Sequence, residues 1–148
     1  MSNGKSIKKR TIKVSKKDVE QNERLIYPNN PSFCFRPVTA NKTHNFEYFK
    51  SDKHTELVVR QALDDVITYL SEREWVRIIL GKKDGLGGYE TLDYPRLKFS
   101  PKNFPISDDE KISVVRFGNG DAYRLIGYWK DPIFYVFGYD FNFSSYDH

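Results

Sequence analysis

The chain has 148 residues, with 24 Lys and Arg against 20 Asp and Glu, and a single cysteine, Cys34. That length implies one domain able to bury a core without metals or cross-links, and one cysteine closes no internal disulfide, so Cys34 is expected as a small buried hydrophobe in a reducing compartment. No apolar run reaches the roughly 20 residues of a membrane helix, and MSNGKSIKKR leads into no signal-peptide core, which predicts a cytoplasmic protein with no membrane partner.

The net charge of +4 is unevenly spread. Residues 1–27 hold eight basic and three acidic residues, leaving 16 against 17 in the rest. The positive excess belongs to the leading segment, so the body is not expected to be a broadly basic nucleic-acid surface. Residues 1–24 predict a flexible basic arm, in which Lys8, Lys9 and Arg10 are candidate contacts to a phosphate backbone or an acidic partner. A first strand over TIKVS, residues 11–15, is the competing reading. Residues 25–148 are expected to form one domain.

That domain opens with the Pro/Asn-rich turn LIYPNNPS and a strand over 33–38, where Pro37 suits an edge or a strand end. A second short strand is expected over Phe46–Phe49. Glu56–Leu70 is the clearest helix, capped by Asp52 or Thr55, with Val59, Ala62, Leu63, Val66, Ile67 and Leu70 on one stripe. Ser71 and Glu74 have the spacing of a capping box for a shorter helix carrying Trp75, Ile78 and Ile79, with a strand over WVRIIL as the alternative. The glycine-rich 81–88, GKKDGLGG, lacks the Gly-Lys-Ser/Thr of a phosphate-binding loop and reads as a mobile surface loop. A strand is expected over 97–100, then a linker to Glu110 with a single turn at Ser107–Glu110.

The C-terminal stretch reads ISVVRF, AYRLIGYW and IFYVFGY, punctuated by GNGD and KDP. This predicts an antiparallel meander over 112–117, 122–129 and 133–139. The fold class that follows is α+β: an antiparallel twisted sheet of four to six strands with one or two helices packed on one face. A four-residue GNGD loop would pair Phe117 with Ala122 and Val115 with Arg124, setting Arg116 and Arg124 on opposite faces.

His44, His54 and His148 lie in separate segments without zinc-ligand spacing, no serine elbow is present, and Asp64/Asp65 and Asp108/Asp109 read as solvated charge. No metal or cofactor is expected. The residues left to carry chemistry are Arg124, Tyr146 and His148 as catalytic candidates, with Arg116, Tyr128 and Tyr139 as candidate substrate contacts. Guanidinium groups stabilise charge on a reacting phosphate, phenol and imidazole move protons, and tyrosine faces stack on unpaired bases. The competing account of the tyrosines is ordinary strand packing.

The order GDAYRLIGYWKDPIFYVFGYDFNFSSYDH resembles the C-terminal half of RelE/ParE-superfamily toxins and of related phage and plasmid proteins ending in FYVxWxDxxHxLY. Asp140 and Tyr146 match the Asp and Tyr of that pattern, while its histidine is unmatched and His148 is the histidine that could compensate. The resemblance covers about a quarter of the chain. It implies a compact α+β body and a metal-independent endoribonuclease that acts on RNA at the ribosome, with Arg124 on phosphate and Tyr146 as base or stacking partner. Members of that family are shorter and basic throughout. The alternative expectation is a non-enzymatic protein-interaction module, such as an inhibitor, an immunity protein or a phage or plasmid accessory protein.

Overall fold

The computed structural model describes residues 15–16, 29–81, 85–118, 120 and 122–148. The basic arm with Lys8, Lys9 and Arg10, and residues 11–14 of the alternative first strand, lie outside the described residues.

Five strands form one sheet: β1 (Ser32–Cys34), β2 (Tyr89–Asp93), β3 (Lys111–Phe117), β4 (Tyr123–Lys130) and β5 (Ile133–Asp140). Their order is β1-β5-β4-β3-β2, every pairing antiparallel except β1 with β5, which is parallel. The α+β class holds, and the sheet is mixed because β1 joins the far edge of the meander rather than a hairpin partner. The central strands are rich in Val, Ile, Leu and Phe on both faces. They are buried almost without alternation, as happens when a sheet is covered on both sides.

Helix α1 (Lys53–Ser71) covers one face. Asp52 caps it by accepting from Thr55 N at 3.0 Å, and the stripe Val59, Leu63, Val66 and Leu70 is buried against Val115, Phe117, Leu125, Phe134 and Val136. The shorter α2 (Trp75–Ile79) adds Trp75, stacked on Trp129 at 4.2 Å, so the helical reading of this stretch stands over the strand. The expected Ser71–Glu74 capping box does not form. Ser71 ends α1 with its hydroxyl donating to Thr68 O, and the Glu74 side chain makes no cap bond.

The opposite face is covered by the segment 94–110 and by the tail, with Leu92, Phe99, Ile112, Val114, Ile126, Phe137 and Tyr146 in a second core. Other local expectations need correction. Residues 97–100 form no strand, because the edge strand is Tyr89–Asp93; Phe46–Phe49 is a 3-10 turn capped by the Asn45 side chain; and the strand at 33–38 shortens to Ser32–Cys34. Cys34 is half-buried. The glycine-rich loop is anchored at its far end, where Gly87 N donates to Arg116 O and Arg116 N donates to Gly88 O. Gly87, at φ +76°, lies against the Tyr69 ring, where a Cβ would come within 2.5 Å. Only glycine permits both that backbone and that approach.

Candidate functional site

The site begins with the period of two along β3 and β4. Ile112, Val114 and Arg116 share the non-helical face of β3, and Arg124, Ile126 and Tyr128 share that face of β4. The strands meet with Phe117 opposite Tyr123 and Arg116 opposite Arg124, so the connection has five residues rather than four. Gly118 and Gly120 take positive φ of +86° and +69° in it. This corrects the expected register: a one-residue shift moves a side chain to the other face, and the two arginines are direct neighbours on one face.

A bulge then adds a third member to the row. In the pairing of β4 with β5, Ile126 is opposite Gly138 but Gly127 is opposite Val136, leaving Phe137 as the extra residue. Strict alternation from Phe134 would send Asp140 to the helical face. The bulge resets the phase, so Tyr139 packs with Phe134 and Val136 while Asp140 pairs with Arg124 on the other side. Arg116, Arg124 and Asp140 therefore stand in line on three neighbouring strands.

Asp140 also folds the tail. Its carboxylate accepts the backbone N–H groups of Asn142, Ser144 and Ser145 at 3.1 to 3.2 Å and the Ser145 hydroxyl. Desolvation pushes this buried carboxyl up, but the hydrogen bonds from Ser145, Asn142 and Ser144 outweigh it and hold Asp140 below the usual carboxylate range. The chain is turned back over the sheet, where Lys98 N donates to Ser145 O and Lys98 Nζ meets Asp147 Oδ1 at 2.6 Å.

Tyr146 and His148 arrive beside the row by this route. The Tyr146 hydroxyl donates to Glu90 Oε1 at 2.7 Å, and the ring is 6% exposed. Burial first, and then the Glu90 carboxylate, push the phenol well above its usual range against a downward pull from Arg124. It is a protonated donor at neutral pH, which opposes its expected use as a base. His148 Nε2 lies 3.4 Å from Asp140 Oδ2, and its ring is 4.1 Å from that of Tyr146. An ionised carboxylate only accepts, so Nε2 is the ring nitrogen that presents its proton to Asp140.

These groups border an open cleft of about 320 Å³ lined by Glu90, Arg96, Arg116, Tyr146, Asp147 and His148, among others. Its lining sets the guanidinium groups of Arg96 and Arg116, a phenol and an imidazole, groups that can meet an anion and move protons, beside the carboxylates of Glu90 and Asp147, which oppose one. The fold thus gathers Arg116, Arg124, Tyr146 and His148. It does not bring in Tyr139, which is 4% exposed in the helical-face core, its phenol raised to about 12 by burial; this corrects its expected place among substrate contacts. Tyr128 is on the correct face but lies two alternations further along β4, beside Phe104 and Glu110.

Glu90 and Arg96 escaped the sequence reading, since neither stands in a recognisable motif. Asp140 had a local signal in D-x-N-x-S-S directly after a strand, the composition of an Asx-type turn. Among the described residues, no group of three His, Cys, Asp or Glu is placed to hold a metal ion, and no helix is long and apolar enough to cross a membrane.

The class that fold and site define is an α+β protein with an open cleft of mixed charge, Arg96 and Arg116 beside Glu90 and Asp147, at one end of its sheet. Comparison with family models, curated proteins and solved structures finds no significant match for this chain.

Proposed function

We propose that the protein binds single-stranded RNA in this cleft and cleaves it by metal-independent acid–base chemistry. The observation that carries the reading is the placement of Arg116 opposite Arg124 on the face bordered by Tyr146 and His148. A phosphodiester between the arginines has its charge balanced as it gathers in the transition state. His148 Nδ1 takes the proton of the 2′-hydroxyl while the O2′–P bond forms. The P–O5′ bond breaks, and the departing oxygen takes the Tyr146 hydroxyl proton, which turns to it from Glu90, with Arg124 beside the resulting phenolate. Proton transfer then restores both side chains, with Asp140 fixing the imidazole tautomer throughout. The products are a 2′,3′-cyclic phosphate and a 5′-hydroxyl.

The test is incubation of purified protein with free and ribosome-bound RNA. Arg124→Ala and His148→Gln are each expected to lower the cleavage rate about 100-fold or more, by loss of transition-state charge balance and of the base. Tyr146→Phe should lower it at least tenfold with little change in RNA affinity. Unchanged rates in Arg124→Ala and His148→Gln would remove this site.

A second reading, a protein-interaction module, is favoured by α2 and its C-cap, which leave Val76, Ile79 and Leu80 exposed on the surface. Clustered apolar side chains on a helix are a common footprint of a protein partner. Absence of any RNA cleavage by the wild-type protein would leave this as the stronger account.

A further inference from the structure

The tail contains one aromatic side chain that lies largely in solvent. Phe141 and Tyr146 are buried, whereas Phe143 between them is 56% exposed. Its backbone has φ +59°, the left-handed region that a residue with a Cβ disfavours. The conformation is held from both sides, because Asp140 accepts the N–H groups of Asn142 and Ser144. The Arg124 guanidinium carbon lies 5.5 Å from the Phe143 ring centroid, and the His148 ring meets it edge-on at 5.4 Å.

A glycine or asparagine would suit that backbone better, and a polar side chain would suit that exposure. The strongly exposed apolar residues of α1, Leu57 and Val58, have no such setting beside the paired cations. We infer that Phe143 is a stacking platform for one unpaired base of an RNA strand, a purine in preference to a pyrimidine, lying next to the phosphate held by Arg116 and Arg124. This rests on the RNA reading above. Every base offers a π-face to an aromatic ring, and a purine offers the larger one. The neighbouring guanidinium groups supply the adjoining phosphate with its counter-charge, so base and phosphate are gripped together. The base stacks without hydrogen-bond readout, which makes the subsite selective by size rather than by sequence.

The experiment measures binding of fluorescent 2′-O-methyl oligoadenylate and oligouridylate, which lack the attacking hydroxyl and stay intact, by anisotropy. The proteins are wild type, Phe143→Gly, Phe143→Trp and Arg116→Ala. Thermal melting accompanies each, and Phe143→Gly is expected to melt no lower than wild type, because glycine accepts φ +59° without strain. Wild type should prefer the adenylate. Phe143→Gly should bind it about tenfold more weakly and lose the preference, while Phe143→Trp keeps both. If Arg116→Ala weakens binding but Phe143→Gly matches wild type on both oligomers, the platform is refuted and the RNA reading survives. If wild type binds neither oligomer, both fall together.

Discussion

A carboxylate with 1% of its surface exposed persists inside a fold only where its lone pairs are answered, and Asp140 has three backbone N–H groups, a serine hydroxyl and an imidazole around it. Asp140→Asn keeps the shape but replaces one acceptor oxygen by an amide that faces other donors. We expect it to lower the unfolding free energy by about 2–3 kcal/mol in urea titration. Because the folded-state pKa lies below the unfolded value, of about 3.9 for an aspartate, the native protein binds this proton less readily than the unfolded chain. The contribution is therefore fully present above the unfolded value and is lost as pH falls through the folded one. Wild type should lose stability along that acid limb more steeply than the Asn variant. Parallel acid limbs would mean that Asp140 is not what ties the tail down.

At the scale of elements, α1 owes its start to one side chain. Asp52 accepts from both the backbone and the hydroxyl of Thr55, which holds its carboxyl below the usual range. Asp52→Ala should lower the midpoint of thermal or urea unfolding slightly and leave the proposed RNA cleavage unaffected, since the cap lies on the helical side of the sheet. The helix and the meander were legible in the sequence because local signals agree there: a stripe at three and four residues, β-branched and aromatic runs, and turn residues between them. The edge strand Tyr89–Asp93 was not. YETLD carries only two large apolar residues, and as an edge strand it buries one of its five positions deeply. LKFS at 97–100 has the alternation but sits between Pro95 and Pro101, and it serves as cover for the sheet. The site was legible as a list of residue types and not as a geometry. Arg124, Tyr146 and His148 could be named from their chemistry, but the facing of Arg116 depended on whether the β3–β4 connection has four residues or five, and GNGD does not declare that.

The molecule as a whole is a sheet insulated on both faces, with its charged row at one end. The bulge between β4 and β5 joins these two aspects, and glycines make room for it. A Cβ at Gly127 would stand 2.2 Å from Tyr135 O, and one at Gly138 would stand 2.8 Å from His44 O. Backbone oxygens cannot turn aside as a side chain can. Gly127→Ala is therefore expected to cost on the order of 3 kcal/mol or more, and to weaken the proposed RNA cleavage in whatever fraction remains folded, because re-phasing β5 would displace Asp140. A variant that melts with wild type would show that the bulge tolerates other geometry.

The parallel seam between β1 and β5 joins Ser32 to Ile133, about 100 residues apart, whereas Arg116, Arg124 and Asp140 all belong to one continuous stretch of two hairpins. Contacts between neighbours in sequence close quickly, and those across a long loop must wait for the chain's entropy to be overcome. The order of assembly that follows has the meander forming first and β1 recruited to its edge afterwards. The charged row then exists as soon as the hairpins do, before the sheet has its parallel edge, so early folding and the geometry of the cleft depend on the same thirty residues.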